Sequence, residues 1–127
     1  MRIMLADDQD RVRYALRALL AVQTDVEVVA EATSVADMLE KAGDYRPDLI
    51  LVDWKLPGLA MSAALPALHR LCPGSQIVVL SGTPEARAAA TAAGADGFVS
   101  KSQPPDRLLD AIHTCQALIS LRETAEI

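Results

Sequence analysis

Leu49-Ile50-Leu51-Val52-Asp53-Trp54-Lys55-Leu56-Pro57-Gly58 is the stretch on which the fold turns. An unbroken apolar run ends abruptly in a carboxylate. The run is short and lies between two turn signals, Pro47-Asp48 and Pro57-Gly58. It predicts a strand buried on both faces over residues 49–52, with Asp53 the first residue past it. In open parallel sheets, ligands bind outside the carboxyl ends of the strands. Asp53 therefore stands where a functional group belongs, although an Asp here could also merely cap the strand or start the turn.

The flanking sequence repeats the pattern. Upstream, Ile3-Met4-Leu5-Ala6 runs into Asp7-Asp8, and Val26-Glu27-Val28-Val29-Ala30 reads as a second strand. Downstream, Ile77-Val78-Val79-Leu80 leads into Ser81-Gly82-Thr83. The more polar Asp96-Gly97-Phe98-Val99-Ser100, read as an edge strand, leads into Lys101. Helical spacing fills the intervals. Val12, Leu16, Leu19 and Leu20 form one stripe, with Asp10 as the expected N-cap. Val35, Met38, Leu39 and Ala42 form the next; Ser34 and Asp37 resemble a capping box, and Gly43 is expected to end the helix. Met61, Ala64, Leu65, Leu68 and Leu71 form the third. Pro66 interrupts that stripe, so the helix is expected to begin near residues 62–66 or to bend there. Thr83-Pro84 is expected to cap a short Ala-rich helix over residues 84–93, closed by Gly94. Leu108, Ile112, Cys115 and Ile119 mark the last helix, opened by Pro104 or Pro105.

Strands alternating one for one with helices predict an α/β fold whose strands run parallel through right-handed crossovers. The expected architecture is a doubly wound, flavodoxin-like (βα)5 sandwich with sheet order 2-1-3-4-5. The whole of residues 1–121 reads as one domain, and the polar tail 122–127 is expected to fray.

Composition narrows the function. The chain has 127 residues, a net charge of −5 and an aliphatic rather than aromatic core. That charge argues against a nucleic-acid-binding surface, which wants a basic patch. Cys72 and Cys115 read as free core thiols, as expected in a reducing cytoplasm. No apolar run approaches the roughly 20 residues of a membrane span.

At the carboxyl rim the chemistry assembles. Strands one and three are neighbours in this order, so Asp7, Asp8 and Asp53 would share one crevice. Carboxylates that close disfavour ionisation unless positive charge lies between them. A hard divalent cation with oxygen ligands, Mg²⁺ above all, meets that need. Ser81 ends the fourth strand and Lys101 follows the fifth, adding a hydroxyl and an ammonium to the same rim. A carboxylate nucleophile, magnesium, a hydroxyl donor and a lysine are what in-line phosphoryl transfer requires. A flavin-phosphate site would want Gly, Ser and Thr backbone donors where Asp7-Asp8 stand. An aspartate-nucleophile phosphatase would want a further acid just after Asp53, and Trp54-Lys55-Leu56 offers none.

This set resembles the receiver domain of two-component response regulators. The motifs are Asp7-Asp8, Asp53 with Leu56-Pro57-Gly58, Ser81-Gly82, Gly94-Ala95-Asp96-Gly97-Phe98 and Lys101. The openings Leu5-Ala6-Asp7-Asp8 and Arg17-Ala18-Leu19-Leu20, with Gly97-Phe98-Val99-Ser100-Lys101, look most like receivers that carry a C-terminal helix-turn-helix output for transcription regulation. The resemblance implies that Asp53 is the phosphoacceptor and that catalysis is confined to its own phosphorylation and dephosphorylation. It implies that Asp8 binds Mg²⁺ directly, Asp7 through water, and that the backbone carbonyl of Lys55 supplies another ligand. Ser81 and Lys101 would hold phosphoryl oxygens, and Ser81 with Phe98 would form the switch. The implied partner is a sensor histidine kinase. The Ala-rich fourth helix, whose bare face lets another chain approach closely, reads as the contact for a homodimer or other partner, or else as good helix formers packed on the sheet. Ser102 stands where the family often has a proline, and Lys55 is a less common choice two residues past the acceptor. A pseudo-receiver, folded but not phosphorylated and acting as an interaction module, is the alternative.

Overall fold

A computed structural model describes residues 1–125. The chain runs β1 (Arg2–Ala6), α1 (Asp10–Ala21), β2 (Glu27–Ala32), α2 (Val35–Tyr45), β3 (Leu49–Asp53), α3 (Met61–Leu71), β4 (Gln76–Ser81), α4 (Ala86–Ala92), β5 (Gly97–Ser100) and α5 (Pro105–Ala125). All strand pairs are parallel and the sheet order is β2-β1-β3-β4-β5, as the alternating pattern predicts. β5 is an edge strand, in keeping with its polar sequence.

The unbroken apolar runs have a direct cause. Side chains alternate across a strand, and here both faces are covered, so both sets must be apolar. On one face Met4, Ala6, Ile50, Val52, Ile77 and Val79 pack beneath α2 and α3. On the other, Ile3, Leu5, Leu49, Leu51, Val78 and Leu80 pack beneath α1 and α5, against Leu20, Leu108, Ile112 and Cys115. Every residue of β3 is buried, Asp53 included. Asp53 is thus the last residue of the strand rather than the first beyond it, and backbone pairing to β4 fixes its position.

Several boundaries differ from expectation. Gln9, not Asp10, is the N-cap of α1; Asp10 is the first helical residue, where its charge still suits the helix dipole. β2 begins at Glu27 and ends at Ala32, two residues beyond the apolar run, because pairing with β1 extends to Ala6. Ser34 does cap α2, accepting from the Asp37 N–H at 3.1 Å. That helix passes through Gly43 to Tyr45 and stops where Arg46 turns left-handed at φ 47°. α3 begins at Met61, earlier than Pro66 suggests, with the N–H groups of Ala63 and Ala64 both bonded to the Ala60 carbonyl. Pro66 lies inside it, and the exposed turn containing Ser62 leaves the orphaned carbonyl open to water. Thr83-Pro84 does not start α4. A separate turn, Ala86 N–H to Thr83 O, precedes the helix. α5 stays helical through Ala125 where fraying is expected from Arg122; residues 126 and 127 lie outside the described residues. No helix among the described residues is long and apolar enough to cross a membrane.

One glycine matters for the rim. Gly58 has φ +122°, and a Cβ there would come within 3.1 Å of the Val35 Cβ. The Pro57 carbonyl accepts from the Val35 N–H at 2.9 Å. The β3–α3 loop is thereby seated on the start of α2.

Candidate functional site

At the carboxyl ends of β1 and β3, Asp7 and Asp53 are buried at 1% and 6% exposure, while Asp8 is exposed. Each of the three can offer a carboxylate oxygen within 4.8 Å of the others. Lys101, delivered from beyond β5, bridges the pair: its Nζ donates to Asp7 Oδ2 at 2.9 Å and lies 3.4 Å from Asp53 Oδ1. The Lys101 N–H bonds the Ser81 carbonyl at 2.8 Å, which continues the β4–β5 pairing and fixes where the side chain starts.

The backbone holds the acids in place. Asp7 Oδ1 accepts from the Gln9 N–H at 2.9 Å. The Asp7 N–H donates to the Ala32 carbonyl at 3.0 Å. Asp53 Oδ1 accepts from the Lys55 N–H at 3.2 Å, and the Asp53 carbonyl accepts from the Leu56 N–H at 3.0 Å. The chain therefore turns tightly just past Asp53, at Trp54 and Lys55. The Lys55 side chain is exposed and makes no ion pair among the described residues.

Three carboxylates face one ammonium, so the crevice keeps excess negative charge. All its oxygen donors are hard. Oxygens opposite one another on Mg²⁺ are about 4.2 Å apart. Donors clustered within 4.8 Å are compatible with such an ion.

Ser81 is buried at the end of β4, with its hydroxyl engaged in its own turn. Its Oγ accepts from the Thr83 N–H at 3.0 Å and lies 3.3 Å from the Thr83 carbonyl. Phe98 in β5 is half-buried against the α2–α3 layer, with the Arg87 guanidinium 4.8 Å over its ring centre. The structure thus brings Asp7, Asp8, Asp53 and Lys101 into one cluster. It places Ser81 and Phe98 on neighbouring strands beside that cluster; Ser81 meets it only through its backbone carbonyl, which the Lys101 N–H bonds, and the Ser81 hydroxyl stays in its own turn.

Arg13 and Glu31 have no part in the motif reading. Arg13, from α1, donates Nη1 to the Asp7 carbonyl at 2.6 Å and Nε to Glu31 Oε1 at 3.1 Å. The signals were a second acid, Glu31, just past the apolar run of β2 and arginines four apart in α1.

The response regulator receiver domain matches residues 3–113 of the chain. The nitrate/nitrite response regulator NarL of Escherichia coli K12 is 34% identical over 117 residues, covering 91% of this chain and 54% of NarL. The transcriptional regulatory protein YxjL of Bacillus subtilis is 35% identical over 114 residues, covering 88% and 52%. The chain spans about half the length of these curated relatives. Among solved structures, a two-component response regulator of the LuxR family from Aurantimonas sp. SI85-9A1 superposes with TM-score 0.83 at 31% identity, covering 91% of this chain and 84% of that one. A CheY-like response regulator receiver domain protein from Methanospirillum hungatei JF-1 gives TM-score 0.77 at 28% identity, covering 89% and 90%.

Proposed function

The chain belongs to the response regulator receiver family, and from that premise we propose that, in the cytoplasm, it takes a phosphoryl group from a sensor histidine kinase onto Asp53. Receiver domains of response regulators are regulatory parts rather than turnover enzymes. The observation that carries the reading is Lys101 Nζ lying 2.9 Å from Asp7 and 3.4 Å from Asp53 across neighbouring strand ends.

In the transfer, an Asp53 carboxylate oxygen attacks phosphorus as the N–P bond of a phosphohistidine breaks. The departing imidazole keeps the bonding pair and takes a proton. Lys101 is placed to exchange part of its contact with the carboxylates for a phosphoryl oxygen. The Ser81 hydroxyl would leave the Thr83 turn to donate to another. Asp7, Asp8, Asp53 and the Lys55 carbonyl would hold Mg²⁺. When bound, that ion offsets the charge of the acids against an incoming group that itself carries close to two negative charges. The Ser81 movement opens space beside β5 into which Phe98 would turn, and the α4–β5–α5 surface would change with it. The readers of that surface would be a second copy of the chain or an output that regulates transcription, the role carried in the name of YxjL.

The test is incubation with acetyl phosphate and Mg²⁺. The protein should gain about 80 Da in an acid-stable, base-labile acyl phosphate, and Asp53→Asn should abolish the gain. Full labelling of the Asn variant would remove Asp53 as acceptor. No labelling of the wild type, together with no response to beryllofluoride, would leave the pseudo-receiver reading in its place.

A further inference from the structure

We propose that Arg13 is a positioning residue for the cation site, an inference that rests on the Mg²⁺ reading of the acidic crevice. Asp8 is exposed, and its carboxylate makes no hydrogen bond among the described residues. Its direction is set by its backbone, above all by the plane of the Asp7–Asp8 peptide. The oxygen of that peptide is the one Arg13 Nη1 holds at 2.6 Å.

Arg13 is well suited to the task. Its side chain is only 12% exposed, and its fork is used on three sides. Besides the Asp7 carbonyl, it meets Glu31 of β2 at 3.1 Å and pairs with Asp10 in the first turn of α1. The planar guanidinium makes all three contacts at once, which a lysine ammonium on its flexible stem would not reproduce. β2, the end of β1 and the start of α1 are thereby tied together at the point where the peptide must be rigid.

The charge is also managed. An arginine next to a cation site would repel the cation. Glu31 and Asp10 both pair with the guanidinium and offset its charge. Arg17 Nη1 shares Glu31 at 2.5 Å and does not reach Asp7. That neighbour therefore provides the natural control: it belongs to the same ion-pair cluster without the contact to the Asp7–Asp8 peptide.

Groups that orient ligands from behind typically change metal affinity 10–100-fold when removed. In the full chain, Mg²⁺ titration followed by Trp54 fluorescence should show Arg13→Ala weakened about tenfold or more. Arg13→Lys should be weakened by less, and Arg17→Ala should match the wild type. Beryllofluoride binding by Arg13→Ala should recover at saturating Mg²⁺, since the acceptor and Lys101 are intact. Circular dichroism of each variant confirms that the affinities refer to folded protein. If folded Arg13→Ala binds Mg²⁺ as the wild type does, or if Arg17→Ala weakens binding equally, the positioning role is overturned. Should Arg13→Ala not fold, folded Arg13→Lys with wild-type affinity would overturn it as well. A wild type that itself shows no Mg²⁺ response would instead sink the cation reading beneath it.

Discussion

Helices α3 and α4 flank the same side of the sheet and are held in opposite ways. α3 drives Met61, Ala64, Leu65 and Leu68 into the core, and all four are at least nine-tenths buried. α4, with seven residues, buries only Ala86 and Ala90 and leaves Ala88, Ala89 and Ala92 exposed. Apolar burial is worth about 25 cal/mol per Å², and an alanine has little area to offer. The layer that stabilises the sheet is therefore built from α3 and α2. The element next to Ser81 and Phe98 is left with polar ties at its ends. A segment of few buried contacts is one that opens at low free-energy cost, which suits a surface meant to change.

The sharpest way to break the contrast is a pair of truncations. Leu68→Ala removes a fully buried side chain from α3 and should cost about 2–5 kcal/mol in denaturant unfolding. Ala89→Gly, on the exposed face of α4, should cost about 1 kcal/mol, the helix propensity difference alone. Equal losses would mean that α4 is anchored as firmly as α3.

A second test weighs the opposite layer by pH. Burial, reinforced by the negative charge of Asp96, pushes the Cys115 thiol of α5 from 9.0 up to about 11. The unfolded chain then releases this proton at lower pH than the folded one. The contribution is complete below pH 9 and is lost as pH climbs toward 11. Wild type should lose stability over that window relative to Cys115→Ala, while the two should run parallel below it. Parallel curves throughout would show that the thiol is not held protonated by α5 packing.

What the sequence disclosed, and what it hid, follows the same physics. The strands were legible because a two-faced sheet demands unbroken apolar runs, as in residues 49–52. Once their order was set, the convergence of Asp7, Asp8, Asp53 and Lys101 followed from chain positions alone. The helix ends were harder to read. Gly43 looked like a terminus, yet α2 continued until Arg46 went left-handed, with the Arg46 N–H still bonded to the Ala42 carbonyl at 3.0 Å and its own carbonyl taken by Arg2. Thr83-Pro84 looked like a helix start, yet the Thr83 carbonyl accepts from the Ala86 N–H in a turn of its own, while the Thr83 N–H donates to the Ser81 hydroxyl. Both outcomes depend on contacts made by residues distant in sequence or by a side chain's choice of partner. The Arg13–Glu31 clamp was hidden for the same reason, since nothing in α1 says which strand end its arginines will meet.

The smallest expected effect concerns the tie at the far end of α4. His69 of α3 places Nε2 2.6 Å from the Gly94 carbonyl, just past the last turn of α4. A carbonyl only accepts, so Nε2 must carry the hydrogen. Gly94 has φ +104°, and a Cβ there would sit 3.3 Å from the imidazole, so the bare backbone is what lets the ring approach. This bond is a direct link from the strongly packed helix to the weakly packed one. His69→Ala should cost only about 1 kcal/mol, the usual net worth of one such bond. Its signature should instead be local. Amide hydrogen exchange should quicken across residues 86–95 and stay unchanged in α3, whose apolar anchors remain. His69→Gln, which keeps an N–H donor on a side chain of similar reach, should restore part of the protection. Faster exchange spread evenly through both helices would mean that the two move as one unit, and the contrast between them would fall.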